Sequence, residues 1–363
     1  MYIKEIELKD FRNYKKQRIS FNKKVNIFIG NNAQGKTNLL EGIYFNVIGK
    51  SFKNVRDKEL IRFGEEYFKI KTTSVIDNEE HITETVVSKE GHKGIKVNGI
   101  KISKTSQLLE KIYIVIFSPE DLKIVKEDPE KRRRFIDREL CQIRKGYLSD
   151  LNNYRRILKQ RNAYLKEISI DKNILSVWDE EMAEYGSRLI ERRKDFIEKI
   201  NNISNEIHSF ISGNKESLKL EYEPNVYFKE KTKDNFLKLL NERHEEDIKN
   251  STTGRGPHRD DFRISVKDVD LRKFGSQGQQ RTAALSLKLS EIKIIEEEKG
   301  EKPILLLDDV LSELDNERQS HLINYLGESQ KFITTTDILG SVVKELPEGK
   351  IFKIENGELE IEI

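Results

Sequence analysis

The sequence predicts an α/β fold. Mixed sheets surround a strand–glycine loop–helix core built from both ends of the chain, and a helical domain is inserted between them. Three observations predict it. Residues 30–37, Gly-Asn-Asn-Ala-Gln-Gly-Lys-Thr, match G-x-x-x-x-G-K-S/T between an apolar β-branched run and a helical pattern. Residues 303–309, Pro-Ile-Leu-Leu-Leu-Asp-Asp, form a second apolar run that ends in two carboxylates. Between them, residues from 121 to about 212 are densely charged and follow helical spacing, opening an insert that runs to about 250. The expected divisions are 1–120, 121–250 and 251–363.

Taken in order, Tyr2, Ile6 and Leu8 share one face of a first strand, with Lys4 interrupting that face and Ile3 on the other. Residues 24–29 are a buried strand, and Leu39, Leu40 and Ile43 give the following segment a helical face. Strands follow at 67–72 and 81–87, then a hairpin over 94–102 turning at Asn98-Gly99, then a buried strand at 112–117. At Ser118-Pro119 the pattern becomes helical, with Ser118 as N-cap and Pro119 at the first helical position. Ile190, Phe196, Ile197, Ile200, Ile203, Ile207 and Phe210 mark a long amphipathic helix. Leu218, Leu220 and Tyr222, with Val226 and Phe228 beyond Pro224, suggest a strand pair before a short helix at 236–245. A strand at 262–266, a helix at 279–298 and the strand at 303–308 complete the return.

Composition bounds the function. The chain has 363 residues, 36% hydrophobic and 36% charged, so much helical surface faces water. A net charge of +3 places any basic site in local clusters. The single cysteine, Cys141, excludes an intramolecular disulfide, and with six scattered histidines it leaves no zinc spacing. No apolar stretch approaches membrane-spanning length, and a cytoplasmic location is expected.

The chemistry lies in three places. In the loop Gly30, Asn31, Asn32, Ala33, Gln34, Gly35, Lys36 and Thr37, backbone N–H groups at a helix start would cradle phosphates. Lys36 would reach the β- and γ-phosphates of ATP, and the Thr37 hydroxyl would hold Mg²⁺. Asp308, at the carboxyl end of a buried strand, would hold the same Mg²⁺ through water, opposite Thr37, and Asp309 could polarise the attacking water. The third place is Ser276-Gln277-Gly278-Gln279 at the start of a helix. It carries two readings, a helix N-cap with a glycine hinge and a second γ-phosphate grip. The second reading needs a different ATP from the one on its own loop, and a second protomer is its natural source.

These residues together resemble the ABC-type ATPases of the SMC-like branch, and within it the RecF family of bacterial recombination mediators. The family's Ser-Gly-Gly-Gln-like signature reads Ser276-Gln277-Gly278-Gln279 here, and residues 303–315 are similar to its Walker B strand and D-loop. Phe11-Arg12-Asn13-Tyr14, residues 117–122, residues 132–137 and Gly256-Pro257-His258-Arg259-Asp260-Asp261 resemble further RecF stretches. The resemblance implies an ABC-type ATPase head with an inserted helical arm. It implies ATP-dependent homodimers, with ATP between Lys36 of one protomer and Ser276 of the other, and Arg12 and Asn13 beside the nucleotide. It also implies slow hydrolysis, DNA binding, and loading of recombinase at single-strand gaps together with RecR and RecO. SMC-type proteins carry hundreds of coiled-coil residues, whereas an insert of about 130 residues suits a compact arm. Two departures stand out. Asp309 replaces the usual glutamate, which shortens its reach and fits a slow, switch-like ATPase. No switch histidine follows the strand at 331–337, where Thr335 or Thr336 would take its place.

The candidate DNA contacts are Lys53 and Arg56, after the loop helix, and Lys131, Arg132, Arg133 and Arg134 in the insert. Interleaved Glu127, Asp128, Glu130, Asp137 and Glu139 leave the second cluster open to another reading, a salt-bridged solvated face. Neither cluster suggests base readout, so binding is expected to tolerate any sequence. Two other functions share the nucleotide motifs. The ATPase subunit of a membrane transporter would show a shorter insert and a switch histidine, and a structural ATP binder would not hydrolyse.

Overall fold

The computed structural model describes residues 1–53, 55–109, 111–311, 316–336 and 349–362. The chain runs β1 (Tyr2–Phe11), β2 (Tyr14–Ser20), β3 (Val25–Ile29), α1 (Lys36–Ile48), β4 (Tyr67–Ile76), β5 (Glu79–Ser88), β6 (Lys93–Val97), β7 (Ile100–Lys101) and β8 (Ile114–Phe117). It continues through α2 (Leu122–Lys126), α3 (Pro129–Ile143), α4 (Tyr147–Tyr164), α5 (Lys172–Ile211), β9 (Leu218–Glu223), α6 (Thr232–Glu242), α7 (His244–Asn250), β10 (Asp261–Val266), β11 (Val269–Asp270), α8 (Leu271–Phe274) and α9 (Gln277–Lys299). It closes with β12 (Ile304–Asp308), α10 (Asn316–Tyr325), β13 (Lys331–Thr335), β14 (Gly349–Glu355) and β15 (Glu358–Glu362). Two compact units result: Met1–Asp121 with Glu291–Ile363, and Leu122–Ser290. The insert therefore extends to 290 rather than 250, because β10 pairs with β9 inside the second unit and takes the following segment with it.

In the first unit, one six-stranded sheet has the order β2-β1-β4-β5-β6-β7 and is antiparallel throughout. The other has the order β15-β14-β3-β13-β12-β8, parallel except for its β15 edge. Helix α1 packs against β1, β4 and β5 of one sheet and β12 and β13 of the other. Its burial on nearly every face follows from that position. Leu39, Leu40, Ile43 and Phe45 join Ile6, Leu8, Phe68, Leu306 and Phe332 in one core. Phe28 stacks on Phe352 with ring centroids 5.2 Å apart, and Phe21 meets Phe332 edge-on at 4.8 Å.

The first strand differs from its alternating pattern. The register against β4 shifts between Ile3 and Glu5, so one extra residue changes the phase of the strand. Ile3, rather than Tyr2, is then fully buried with Ile6 and Leu8. The Asn98-Gly99 turn forms between β6 and β7, both residues at positive φ, as a tight hairpin requires. At Ser118 the backbone N–H donates to Asp121 Oδ2 at 2.7 Å, and a single 3-10 turn over Pro119–Asp121 precedes α2.

In the second unit, α5 spans 40 residues from an Asp171 cap whose carboxylate accepts from the Asn173 N–H at 2.8 Å. Phe210 leaves the predicted stripe and is exposed at the end of this helix. The expected strand pair is corrected too. Pro224 ends β9, and the antiparallel partner is β10 from forty residues later, not Val226 to Phe228.

Charged side chains are buried here in matched sets. Arg161 is fully buried; its Nε donates to Asp179 at 2.7 Å, and its Nη1 donates to Asp247 at 2.7 Å and Thr253 at 2.8 Å. Arg193 donates to Asp260 at 2.9 Å, Asp137 at 2.8 Å and the Pro257 carbonyl at 2.6 Å. Removing one member of such a set strands the others without compensation. His258 is held between Tyr154 Oη at 2.7 Å and the Thr253 carbonyl at 3.1 Å. Burial pushes its pKa down to about 4, with Arg259 and Arg133 adding to the shift and the Thr253 carbonyl and Asp260 opposing it.

The consequence for stability has a definite sign. Between pH 6.5 and about 4 the unfolded chain holds a proton at His258 that the native protein does not. Stability is therefore fully present above the unfolded value and declines as pH falls through this window, by about 3 kcal/mol. Urea unfolding of wild type and His258→Gln across pH 4 to 7 is expected to show a shallower pH dependence for the variant. Equal slopes would rule out this linkage.

Candidate nucleotide site

The loop is shaped by its neighbours. Gly30 packs on the Ile354 carbonyl where a Cβ would collide with it. Gly35 stands at φ +116°, and a Cβ there would lie 2.5 Å from Asn13 Nδ2. Asn13 Nδ2 donates to the Gln34 carbonyl at 3.0 Å, while Asn13 Oδ1 accepts from Asn38 at 2.9 Å. The buried Tyr14 hydroxyl donates to the Gly35 carbonyl at 2.9 Å, and burial holds its pKa well above the ordinary tyrosine range. From the other side, the Asn356-Gly357 turn donates twice. Asn356 N–H reaches Gln34 Oε1 at 2.6 Å, and Gly357 N–H reaches the Gln34 carbonyl at 3.0 Å.

Lys36 is 4% exposed. Its ammonium donates to the Gly30 carbonyl at 2.6 Å and the Asn31 carbonyl at 3.3 Å, which keeps the charge inside the loop. The N-terminal N–H groups of α1 have no intrahelical acceptors and carry the positive end of the helix dipole. The loop is thus a preformed anion cradle with a cation within it.

The acidic strand end meets the loop. Thr37 Oγ1 donates to Asp308 Oδ1 at 2.8 Å although 271 residues separate them. Thr334 Oγ1 donates to the same carboxylate oxygen at 3.0 Å and accepts from the Asp309 N–H at 2.9 Å. Burial raises the Asp308 pKa, the bonds from Thr37 and Thr334 oppose that, and the neighbouring Asp309 adds to it. A threonine hydroxyl and a carboxylate in contact make an all-oxygen, hard donor set, which fits Mg²⁺ shared with phosphate oxygens. Asp309 sits at φ +53°, an unusual conformation for a residue with a side chain. Of the D-loop residues, Ser312, Glu313, Leu314 and Asp315 lie outside the described residues, as does Asp337.

The Ser276 segment folds as a reciprocal capping box within the second unit. Ser276 Oγ accepts from the Gln279 N–H at 3.2 Å, and Gln279 Oε1 accepts from the Ser276 N–H at 3.0 Å. Gln277 and Gly278 form the first turn of α9. Ser276 is exposed, so the helix start faces outward.

A family profile described as RecF/RecN/SMC N terminal domain matches residues 2–338. A protein of Agathobacter rectalis called "DNA replication and repair protein RecF" is 46% identical over 367 residues, covering 99% of both chains. A Clostridioides difficile protein of the same name is 43% identical, covering 99% of this chain and 98% of its own. The chain belongs to the RecF family. A solved structure described as "Structure of the recombination mediator protein RecF-ATP in RecFOR pathway" superposes with a TM-score of 0.93 at 40% identity, over 100% of this chain and 98% of that one. An Smc head domain derived from Pyrococcus furiosus shares the fold alone, with a TM-score of 0.56 at 19% identity. The RecF-family fold is thus an ABC-type ATPase head with a helical arm.

Other predicted site residues of this RecF-family chain fall into different roles. Arg12 forks onto buried Glu41 through two bonds of 2.9 Å, so its guanidinium is held by α1. Lys53 lies 3.5 Å from the same carboxylate and 3.4 Å from Asn38 Oδ1, and Arg56 is exposed. In the arm, the basic run divides. Arg132 is 3% exposed, with a bidentate bond to Asp261 at 2.6 and 2.9 Å. It also donates to the Glu127 carbonyl at 2.7 Å. It is a structural arginine: buried in this pair, it is not available to a DNA phosphate as the sequence suggested. Arg133 donates to the Asp260 carbonyl at 2.6 Å, Arg134 pairs with Glu130, and Lys131 lies 3.7 Å from Glu127. The Gly256-to-Asp261 stretch, with Asp137 and Arg132, is the internal polar lattice of the second unit.

Sequence reasoning missed several supports of the site. Thr334 touches Asp308 through its hydroxyl; of the two threonines expected at the switch-histidine place, Thr335 is buried and Thr336 exposed. Glu41 and Asn38 carried no signal beyond being polar on a buried helix. Asn356-Gly357 did carry one, an Asn-Gly pair between strands.

Proposed function

We propose that this RecF-family chain is an ATP-switched DNA clamp of recombinational gap repair. ATP binds at Gly30 to Thr37, with Thr37 and Asp308 as the Mg²⁺ ligands. Two ATP-loaded protomers pair, each presenting Ser276 to Gln279 to the nucleotide on the other. The homodimer holds duplex DNA near single-strand gaps without sequence preference, promotes recombinase loading with RecO and RecR in the cytoplasm, and opens on hydrolysis. The observation that carries this reading is the 2.8 Å contact between Thr37 and Asp308 at the mouth of a buttressed phosphate loop. The relatives' name, DNA replication and repair protein RecF, supports the DNA and repair context.

The residues have distinct tasks. Lys36 exchanges the Gly30 and Asn31 carbonyls for phosphate oxygens, while α1 N–H groups receive the remaining charge. Mg²⁺, when bound, neutralises charge on the β- and γ-phosphate oxygens. Asp309 orients and deprotonates the attacking water. Its side chain is one methylene shorter than a glutamate, so turnover is slow, which suits a timer better than a motor. Lys53 and Arg56 are the favoured DNA phosphate contacts, since they follow the loop helix and tie DNA to the nucleotide state; Lys131, Arg133 and Arg134 form a secondary, sequence-tolerant surface.

Single-turnover hydrolysis with and without gapped duplex DNA tests this function. The expected result is slow hydrolysis that DNA accelerates several-fold. Hydrolysis indifferent to DNA would contradict the clamp, and none at all would mark a structural ATP binder.

A further inference from the structure

The signature loop is not held by its own helix alone. Gln279 Nε2 donates to Glu216 Oε1 at 2.8 Å, across 63 residues of chain. The amide is thereby used at both ends. Its oxygen accepts from the Ser276 N–H, and its nitrogen donates to a carboxylate, so its orientation is fixed by chemistry. Glu216 is itself pinned. Its N–H donates to Ser212 Oγ at 3.3 Å, and its carbonyl accepts from Ser209 Oγ at 3.4 Å, both at the end of α5. The second carboxylate oxygen stands 3.4 Å from Nε2 of His208, which is fully buried, with Nδ1 3.2 Å from Ser286 Oγ on α9. Burial holds the His208 pKa down while Glu216 opposes it.

We propose that Glu216 is a positioning residue for the signature loop. It latches Gln279, and through the capping box Ser276, in the geometry that receives the γ-phosphate of ATP on a second copy of this chain, and it ties that geometry to the end of the long arm helix α5. The proposal rests on the reading that Ser276 meets the partner's ATP. Ser276 Oγ already caps the Gln279 N–H, so a displaced Gln279 side chain would free the Ser276 N–H and let the loop rotate away from its outward position. Any tilt of α5 would move Ser209, Ser212 and His208, and with them the carboxylate that holds the signature.

Dimerisation of the full chain measured by light scattering against ATP concentration tests the latch, with binding of a fluorescent ATP analogue to monomer as the fold control. Glu216→Ala is expected to raise the protein concentration needed for half-dimerisation about tenfold. Glu216→Gln keeps an oxygen acceptor at the same reach and is expected to restore dimerisation to within about threefold of wild type. Gln279→Leu breaks the same bond from its other end, and the double variant with Glu216→Ala is expected to be no worse than the single ones. Monomer binding of the analogue is expected to stay unchanged in all four. Wild-type dimerisation in Glu216→Ala, while Ser276→Arg fails to dimerise, would overturn the latch and leave the sandwich standing. So would strict additivity in the double variant, or Glu216→Gln falling as far as Glu216→Ala. If Ser276→Arg itself dimerised with ATP, the underlying reading would fall instead.

Discussion

Lys36→Ala is expected to weaken ATP binding by about two orders of magnitude, the loss of one charge-assisted contact to phosphate in a partly desolvated site. Lys36 is 4% exposed and lies on the Gly30 and Asn31 carbonyls, so its charge is delivered by the loop and not recruited from solvent. The fold is expected to survive. The loop's other supports, Asn13, Tyr14, Asn38 and Asn356, act on Gln34, Gly35 and Asn13 and do not pass through Lys36. Equilibrium titration with a fluorescent ATP analogue, beside a thermal melt, checks both parts. Near-wild-type affinity with an intact fold would show that the cradle does not depend on this cation.

Ser276→Arg is expected to abolish ATP-dependent dimerisation, weakening it more than about 100-fold, while the monomer binds ATP as before. The residues that support the phosphate loop all belong to the first compact unit, whereas Ser276 opens α9 in the second. The substitution replaces a small hydroxyl by a long cation and removes the cap on the Gln279 N–H. Loss of the cap alone costs about 1 kcal/mol of helix stability. Ser276→Ala loses cap and hydroxyl without adding bulk, and is expected to weaken dimerisation only about tenfold. Sizing with and without ATP, together with the analogue titration, separates a lost dimer from a lost nucleotide site.

The parts of this molecule legible in the sequence are those whose chemistry is local. The glycine loop needs its residues at fixed spacing, so Gly30 to Thr37 announced itself, and the apolar run ending in Asp308 and Asp309 did so for the same reason. Ser276-x-x-Gln279 could be seen as a cap, and is one. What depends on distant partners was hidden. A run of four basic residues does not say which one turns inward; Arg132 does because Asp261 waits 129 residues away. The insert's end at 290 could not be placed from charge density, since it is set by β9 pairing with β10. One extra residue in β1 exchanged Tyr2 for Ile3 in the core, and periodicity has no means of marking a bulge. Thr334 was passed over because a threonine in a buried strand carries no signal until Asp308 is beside it.

The central claim is that the loop is half a site, completed by a second copy of the chain. Light scattering of the wild-type protein, with and without Mg²⁺-ATP and gapped duplex DNA, tests it most directly. The expected result is the mass of a 42.6 kDa monomer without nucleotide, a doubled mass with ATP, and a protein dimer on DNA when both are present. A monomer that binds ATP yet keeps its mass at every protein concentration, with or without DNA, would contradict it.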